Sequence, residues 1–63
     1  MSELRIIIPS GIALRAPIYQ EDMERVADAL TRQLPIIADE HGRATAIVVR
    51  GGISHVIASY RRN

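Results

Sequence analysis

The sequence contains no cysteine, no phenylalanine, no tryptophan and no lysine. Each absence excludes something. Without cysteine there is no disulfide to staple a short chain and no thiolate to hold a metal. Without phenylalanine or tryptophan, and with 3% aromatic residues in all, a core has to be built from isoleucine, valine, leucine and alanine. Base-stacking platforms for single-stranded nucleic acid are reduced to Tyr60 and Tyr19. No apolar run approaches the ~18 residues of a membrane span, and no basic, then apolar leader opens the chain. The expectation is a cytoplasmic protein with no membrane partner.

What is present is 63 residues, 48% of them hydrophobic. That is one domain, 1-63, with 1-3 and 61-63 expected to fray. A chain of this length buries a modest share of its surface and is marginal alone. A second molecule is one source of the missing burial.

The net charge is +1, too small to argue for nucleic acid by itself. Its distribution is uneven. Glu21, Asp22, Glu24 and Asp28 crowd the middle of the chain. After Glu40 there is no acid, but His41, Arg43, Arg50, His55, Arg61 and Arg62 all follow. All eight basic residues are arginine. Arginine suits bidentate contact with phosphate or carboxylate. It is also the residue favoured by GC-rich bacterial or phage genomes.

Ala44 to Tyr60 organises the rest. Ala44–Arg50 and Ile53–Tyr60 are rich in β-branched residues and flank Gly51-Gly52. A two-residue type I′ loop needs φ > 0 at both central positions, which glycine adopts without steric cost. The pairs are then Arg50 with Ile53, Val48 with His55 and Ala46 with Ile57 on one side. Val49 with Ser54, Ile47 with Val56 and Thr45 with Ala58 take the other. Neither side is polar, so the ribbon reads as covered on both faces. The competing reading makes residues 53-62 a short helix, since Ile53, Val56, Ile57 and Tyr60 also fall at helical spacing.

Upstream, Leu4–Ile8 reads as a central strand, with three consecutive isoleucines. Pro9-Ser10-Gly11 is a turn. Ile12–Ala16 alternates and is a return strand or an extended loop. Residues 18-34 carry the helical stripe Met23, Val26, Ala27, Leu30 and Leu34, with acids in the first turn opposing the macrodipole. Only Tyr19 or Gln20 is placed to cap it. Pro35 is expected to stop this helix. Residues 35-38 then read as a short strand, and 39-43 as a turn around Gly42. The fold class is α+β: a small β(β)αβββ domain with one helix on a mainly antiparallel four- to five-stranded sheet.

Chemistry is thin. Asp39, Glu40 and His41 bring three ligand types into three residues, but no second cluster completes a metal site. His55 is a mid-strand histidine. Ser10, Ser54 and Ser59 lack a nucleophile-elbow context. Gly51-Gly52 is not followed by Lys-Ser or Lys-Thr, so it is no phosphate loop. No catalytic residue, metal or cofactor is assigned, and an enzyme is the less favoured reading. Leu34–Arg50 faintly resembles the second half of a cystathionine-β-synthase-type (CBS) motif, which implies nucleotide contact and a helix after Gly52. Its contacting hydroxyl and acidic residues fall near Val49 and Gly52, whose side chains cannot serve, and no family is assigned.

One helix cannot cover two sheet faces. The leading expectation is a non-catalytic interaction or regulatory protein, bacterial or phage-encoded, forming a homodimer through the uncovered face. Ala46, Val48, Val56 and Ile57 are the candidate interface residues, the choice depending on which face the helix takes. The alternative is nucleic-acid binding by a β-ribbon rimmed with Arg43, Arg50, Arg61 and Arg62.

Overall fold

A computed structural model describes residues 2–63. Its elements are β1 (Ser2–Ile8), β2 (Gly11–Ile18), a 3-10 turn (Gln20–Asp22), α1 (Met23–His41), β3 (Arg43–Arg50) and β4 (Ile53–Arg61). The four strands form one antiparallel sheet in the order β2-β1-β3-β4. Two hairpins are thus joined by a helix, and their first strands pair at the centre. The shortest extent is 15 Å, the thickness of one sheet and one helix. This is the α+β architecture expected, with four strands.

The β3–β4 loop closes as its glycines require. Gly51 and Gly52 have φ of 59° and 78°, and Arg50 pairs with Ile53. The pairs Val49 with Ser54, Val48 with His55 and Ile47 with Val56 follow. Residues 53-61 are therefore strand, not helix. Beyond Val56 the register slips by one residue, so Ala46 pairs with Ala58 and Thr45 with Ser59. This is a β-bulge, and it places both Ile57 and Ala58 against the core. A second irregularity lies between Ile6 and Ile7 of β1, with Ala13 the extra residue on β2.

The alternation along the inner strands sets two faces. Leu4, Ile6, Ala44, Ala46 and Val48 are buried, with Ala44 and Ala46 fully excluded from solvent. They lie under Leu30, Leu34 and Ala38 of α1. Small alanines on the central strand let the helix approach closely, and Leu34, 1% exposed, fills the space between. The stripe Leu30, Leu34, Ala38 is spaced i, i+4, i+8, one helical face.

Pro35 does not stop the helix. It lies inside α1, which runs on to His41. The expected strand at 35-38 and most of the turn at 39-43 are therefore the last two turns of the helix. Proline in a helix interior costs ~3 kcal/mol. Extending the helix buries Ala38 and half-buries Ile37 against the sheet, and these contacts offset that cost. The helix ends at Gly42, the residue expected in the positive-φ conformation (φ 93°), whose N–H donates to the Ala38 carbonyl at 2.6 Å.

The other end also differs from the expected start at residue 18. Ile18 ends β2 and is 4% exposed. The chain enters α1 through the 3-10 turn, where the Asp22 N–H donates to the Tyr19 carbonyl at 3.0 Å and no side chain caps the start. Glu21, Asp22 and Glu24 supply the acids of the opening turns.

Candidate interaction surface

The helix packs over β3 and β4 on one face of the sheet, where Leu14 of β2 stays 44% exposed, and no described element packs on the other face. Register and alternation place Glu3, Arg5 and Ile7 of β1 on that open face. Pro17, Arg15 and Ile12 join them from β2. Val49, Ile47, Thr45 and Arg43 come from β3, and Ser54, Val56, Ser59 and Arg61 from β4. Ile7, Ile47 and Val49 are half-buried on this face, while Val56 is 67% and Ile12 49% exposed. Each row across the sheet is set by pairing, so this apolar patch is a product of register.

Four arginines share the face with one carboxylate. Arg5 pairs directly with Arg15 across the β1–β2 ladder. Glu3 lies beside them, and its Oε1 accepts from the Nε of Arg5 and, at 3.3 Å, from the Nε of Arg15. The hydrogen bond from Arg5 is the largest influence on the Glu3 carboxyl; lost hydration opposes it, the charges of Arg15 and Arg5 add to it, and the net effect holds the carboxyl below its ordinary range. Arg43 pairs with Arg61 across the β3–β4 ladder. Neither takes part in any ion pair among the described residues.

The opposite side of the molecule is acidic. Glu21, Asp22, Glu24, Asp28, Asp39 and Glu40, six of the seven acids, lie on the 3-10 turn and α1. Arg25 pairs with Asp22 there. Sheet and helix layers therefore carry opposite excess charge.

The interface candidates named from sequence divide across the sheet. Val56 is on the open face. Ala46 and Val48 are in the core beneath α1, and Ile57 packs at its margin. The arginine rim divides as well. Arg43 and Arg61 are neighbours on the open face. Arg50 turns towards the start of the helix, where its Nη1 donates to Gln20 Oε1 at 2.7 Å. Arg62 is engaged at the end of the helix. Its backbone N–H donates to the Gly42 carbonyl at 2.9 Å, and its Nη1 donates to the Asp39 carbonyl at 2.8 Å. It thereby satisfies one of the free carbonyls of the last turn.

Sequence reasoning missed Arg5 and Arg15. The signal was Glu3-Leu4-Arg5-Ile6, whose strict alternation puts both charges on one side. The run Ile6-Ile7-Ile8 masks it by suggesting burial on both faces.

The remaining chemistry does not converge. Asp39, Glu40 and His41 occupy successive positions of the last helical turn and so point in different directions. No group of three His, Asp or Glu side chains is placed to hold a cation among the described residues. Ser54 and Ser59 are on the open face and His55 is on the other. His55 lines a groove of about 190 Å³ with Gln20, Met23, Val48, Arg50 and Ile57. Ligand pockets typically begin near 300 Å³, so this is a surface crease. Among the described residues no helix is long and apolar enough to cross a membrane.

Comparison with known proteins adds no relative: no family model, no curated protein and no solved structure matches the chain.

Proposed function

We propose that this chain is a small non-catalytic interaction module that forms a homodimer through the open face of its sheet, serving as a cytoplasmic accessory or regulatory protein. The observation that supports this reading is the patch of Ile7, Ile12, Ile47, Val49 and Val56 on a sheet face that no element among the described residues covers. A sheet face with one wet side ordinarily alternates apolar and polar residues, and this one keeps its apolar members on the wet side. Four strands 4.8 Å apart and about seven residues long give a face of roughly 440 Å². Two such faces total about 880 Å², below the roughly 1,200 Å² at which stable specific complexes begin. The dimer is therefore expected to be weak and to depend on concentration.

Size-exclusion chromatography with light scattering, over micromolar to millimolar protein, tests this. Mass should rise from 7.0 kDa towards twice that value with concentration. A mass that stays at the monomer value throughout refutes the dimer.

A second reading rests on a different observation, the four arginines of the same face. Arg43 and Arg61 would contact phosphates of a nucleic acid laid on the sheet, with Arg5 and Arg15, paired to Glu3, adding positive charge nearby. Such binding weakens steeply with salt. Titration of labelled duplex and single-stranded DNA at low and moderate salt separates it from self-association.

A further inference from the structure

The open face holds two cross-strand arginine pairs, Arg5 with Arg15 and Arg43 with Arg61. Like charges directly opposite one another destabilise a sheet. The first pair is relieved from within, because the Glu3 carboxylate sits between the two guanidinium groups. The second has the same cross-strand arrangement and no carboxylate. Asp39 and Glu40 belong to the helix layer, and neither forms an ion pair with Arg43 or Arg61. The Asp39 carbonyl is already taken by Arg62. The protein thus contains one filled arginine clamp and one open clamp of the same build.

We infer that the Arg43–Arg61 pair is an oxyanion site that takes a phosphate group. Guanidinium forks present planar sets of donors that match the oxygens of phosphate, and two forks on adjacent strands can address different edges of one tetrahedral group. A dianion also cancels the repulsion of both arginines at once, which a chloride ion does only in part. Strand pairing holds the two Cα atoms at a fixed spacing, since Arg43 opens β3 and Arg61 closes β4 directly opposite it. The backbone beside the pair is tied down by the hydrogen bond from the Arg62 N–H to the Gly42 carbonyl. The filled clamp supplies the internal control, because its carboxylate already occupies the position an incoming anion would need. The site needs only the β3–β4 ladder, so the monomer carries it, and self-association through the same face would compete with it.

The test is titration of the ¹⁵N-labelled protein with inorganic phosphate, following the arginine Nε–H resonances. Sodium chloride at matched ionic strength is the reference, and the protein is kept at its monomeric concentration. Arg43 and Arg61 should shift together and saturate, while Arg5 and Arg15 stay within the chloride reference. Arg43→Gln should weaken the saturable binding read at Arg61 by about tenfold, the low end for a hydrogen bond to a charged group. The amide spectrum reports that the variant is folded, and Arg5→Gln should leave the site unchanged. A second titration with a thymidine dinucleotide separates the possible sources. Saturation by phosphate alone identifies a free phosphate or monoester site, and saturation by both identifies a site able to take a nucleic-acid backbone. Equal shifts at all four arginines, no saturation, or unchanged affinity in Arg43→Gln would overturn the assignment.

Discussion

Arg5 and Arg15 face each other across the β1–β2 ladder and share the single carboxylate of Glu3. The consequence is a pH dependence of known sign. The folded-state pKa of Glu3 is lowered, chiefly by the Arg5 hydrogen bond and then by Arg15. A carboxylate depressed by folding adds stability that is complete above its unfolded pKa, near 4.5, and lost as pH falls through the folded value. Thermal unfolding of the native chain and of Glu3→Gln should therefore differ at pH 6 and converge in the acid range. A constant difference down to pH 2 would show that the ion cluster is not its source. Added salt should narrow the gap at pH 6, because the groups are partly exposed and screened.

The proposed self-association and the alternative nucleic-acid binding should respond to salt with opposite signs. Two open faces brought together place eight arginines against two glutamates. Screening therefore favours the dimer, and its mass-averaged size should rise between about 50 and 500 mM salt. Binding to DNA through the same arginines should fall over that range. Light scattering and a labelled-DNA titration on the same samples distinguish them. Association that weakens with salt argues against the apolar patch as the contact.

Val56 and Val48 lie on neighbouring strands but opposite faces, and a charge at each has a different consequence. Val56→Glu lies on the exposed face and should leave the thermal midpoint within a few degrees of the native value, since surface substitutions usually stay within ~0.5 kcal/mol. It should also abolish self-association. Val48→Glu buries an unpaired carboxylate under α1 and should unfold the domain outright. Circular dichroism separates the two. If Val56→Glu still dimerises, the open face is not the interface.

Leu34 is the largest side chain fully enclosed between helix and sheet. Leu34→Ala should cost about 2–5 kcal/mol. A domain of this length has ~3–9 kcal/mol in total. The variant should be mostly unfolded at 37 °C, or shifted by more than ten degrees, as read by urea or thermal denaturation.

Pro35 interrupts an otherwise regular helix, so Pro35→Ala restores a backbone donor for the Thr31 carbonyl. The intrinsic gain is ~3 kcal/mol, reduced by ~1 kcal/mol for the freer unfolded chain and by lost packing of the half-buried ring. A net rise in stability of about 1 kcal/mol is expected in urea denaturation. A decrease would mean that the ring fills space that alanine cannot.

The two-strand ribbon was legible because its determinants are local. Gly51-Gly52 sets the turn, the turn sets the register, and β-branched residues on both sides favour extended backbone. The stripe from Met23 to Leu34 was legible for the same reason, its spacing being a property of one helix. Pro35 misled because the local rule against proline in a helix is a penalty of fixed size. Whether the penalty is met depends on Ala38 and Ile37 finding the sheet, which lies ahead in the chain. The bulge after Val56 was also out of reach, since an extra residue is tolerated only where the core accepts both Ile57 and Ala58.

Local patterning along the chain was enough for the fold class, the β3–β4 turn and the two apolar sheet faces that one helix had to cover. It determined these through periodicity and turn chemistry, which act over a few residues. Tertiary structure alone decided which face the helix took. Ala44 and Ala46 give a flat surface that a helix can approach closely, whereas Arg43, Thr45 and Ile47 on the other side do not. That choice sent Val48 into the core and Val56 to the surface. By pairing β1 with both β2 and β3, the fold also gathered Arg5, Arg15, Arg43 and Arg61, far apart along the chain, onto one face.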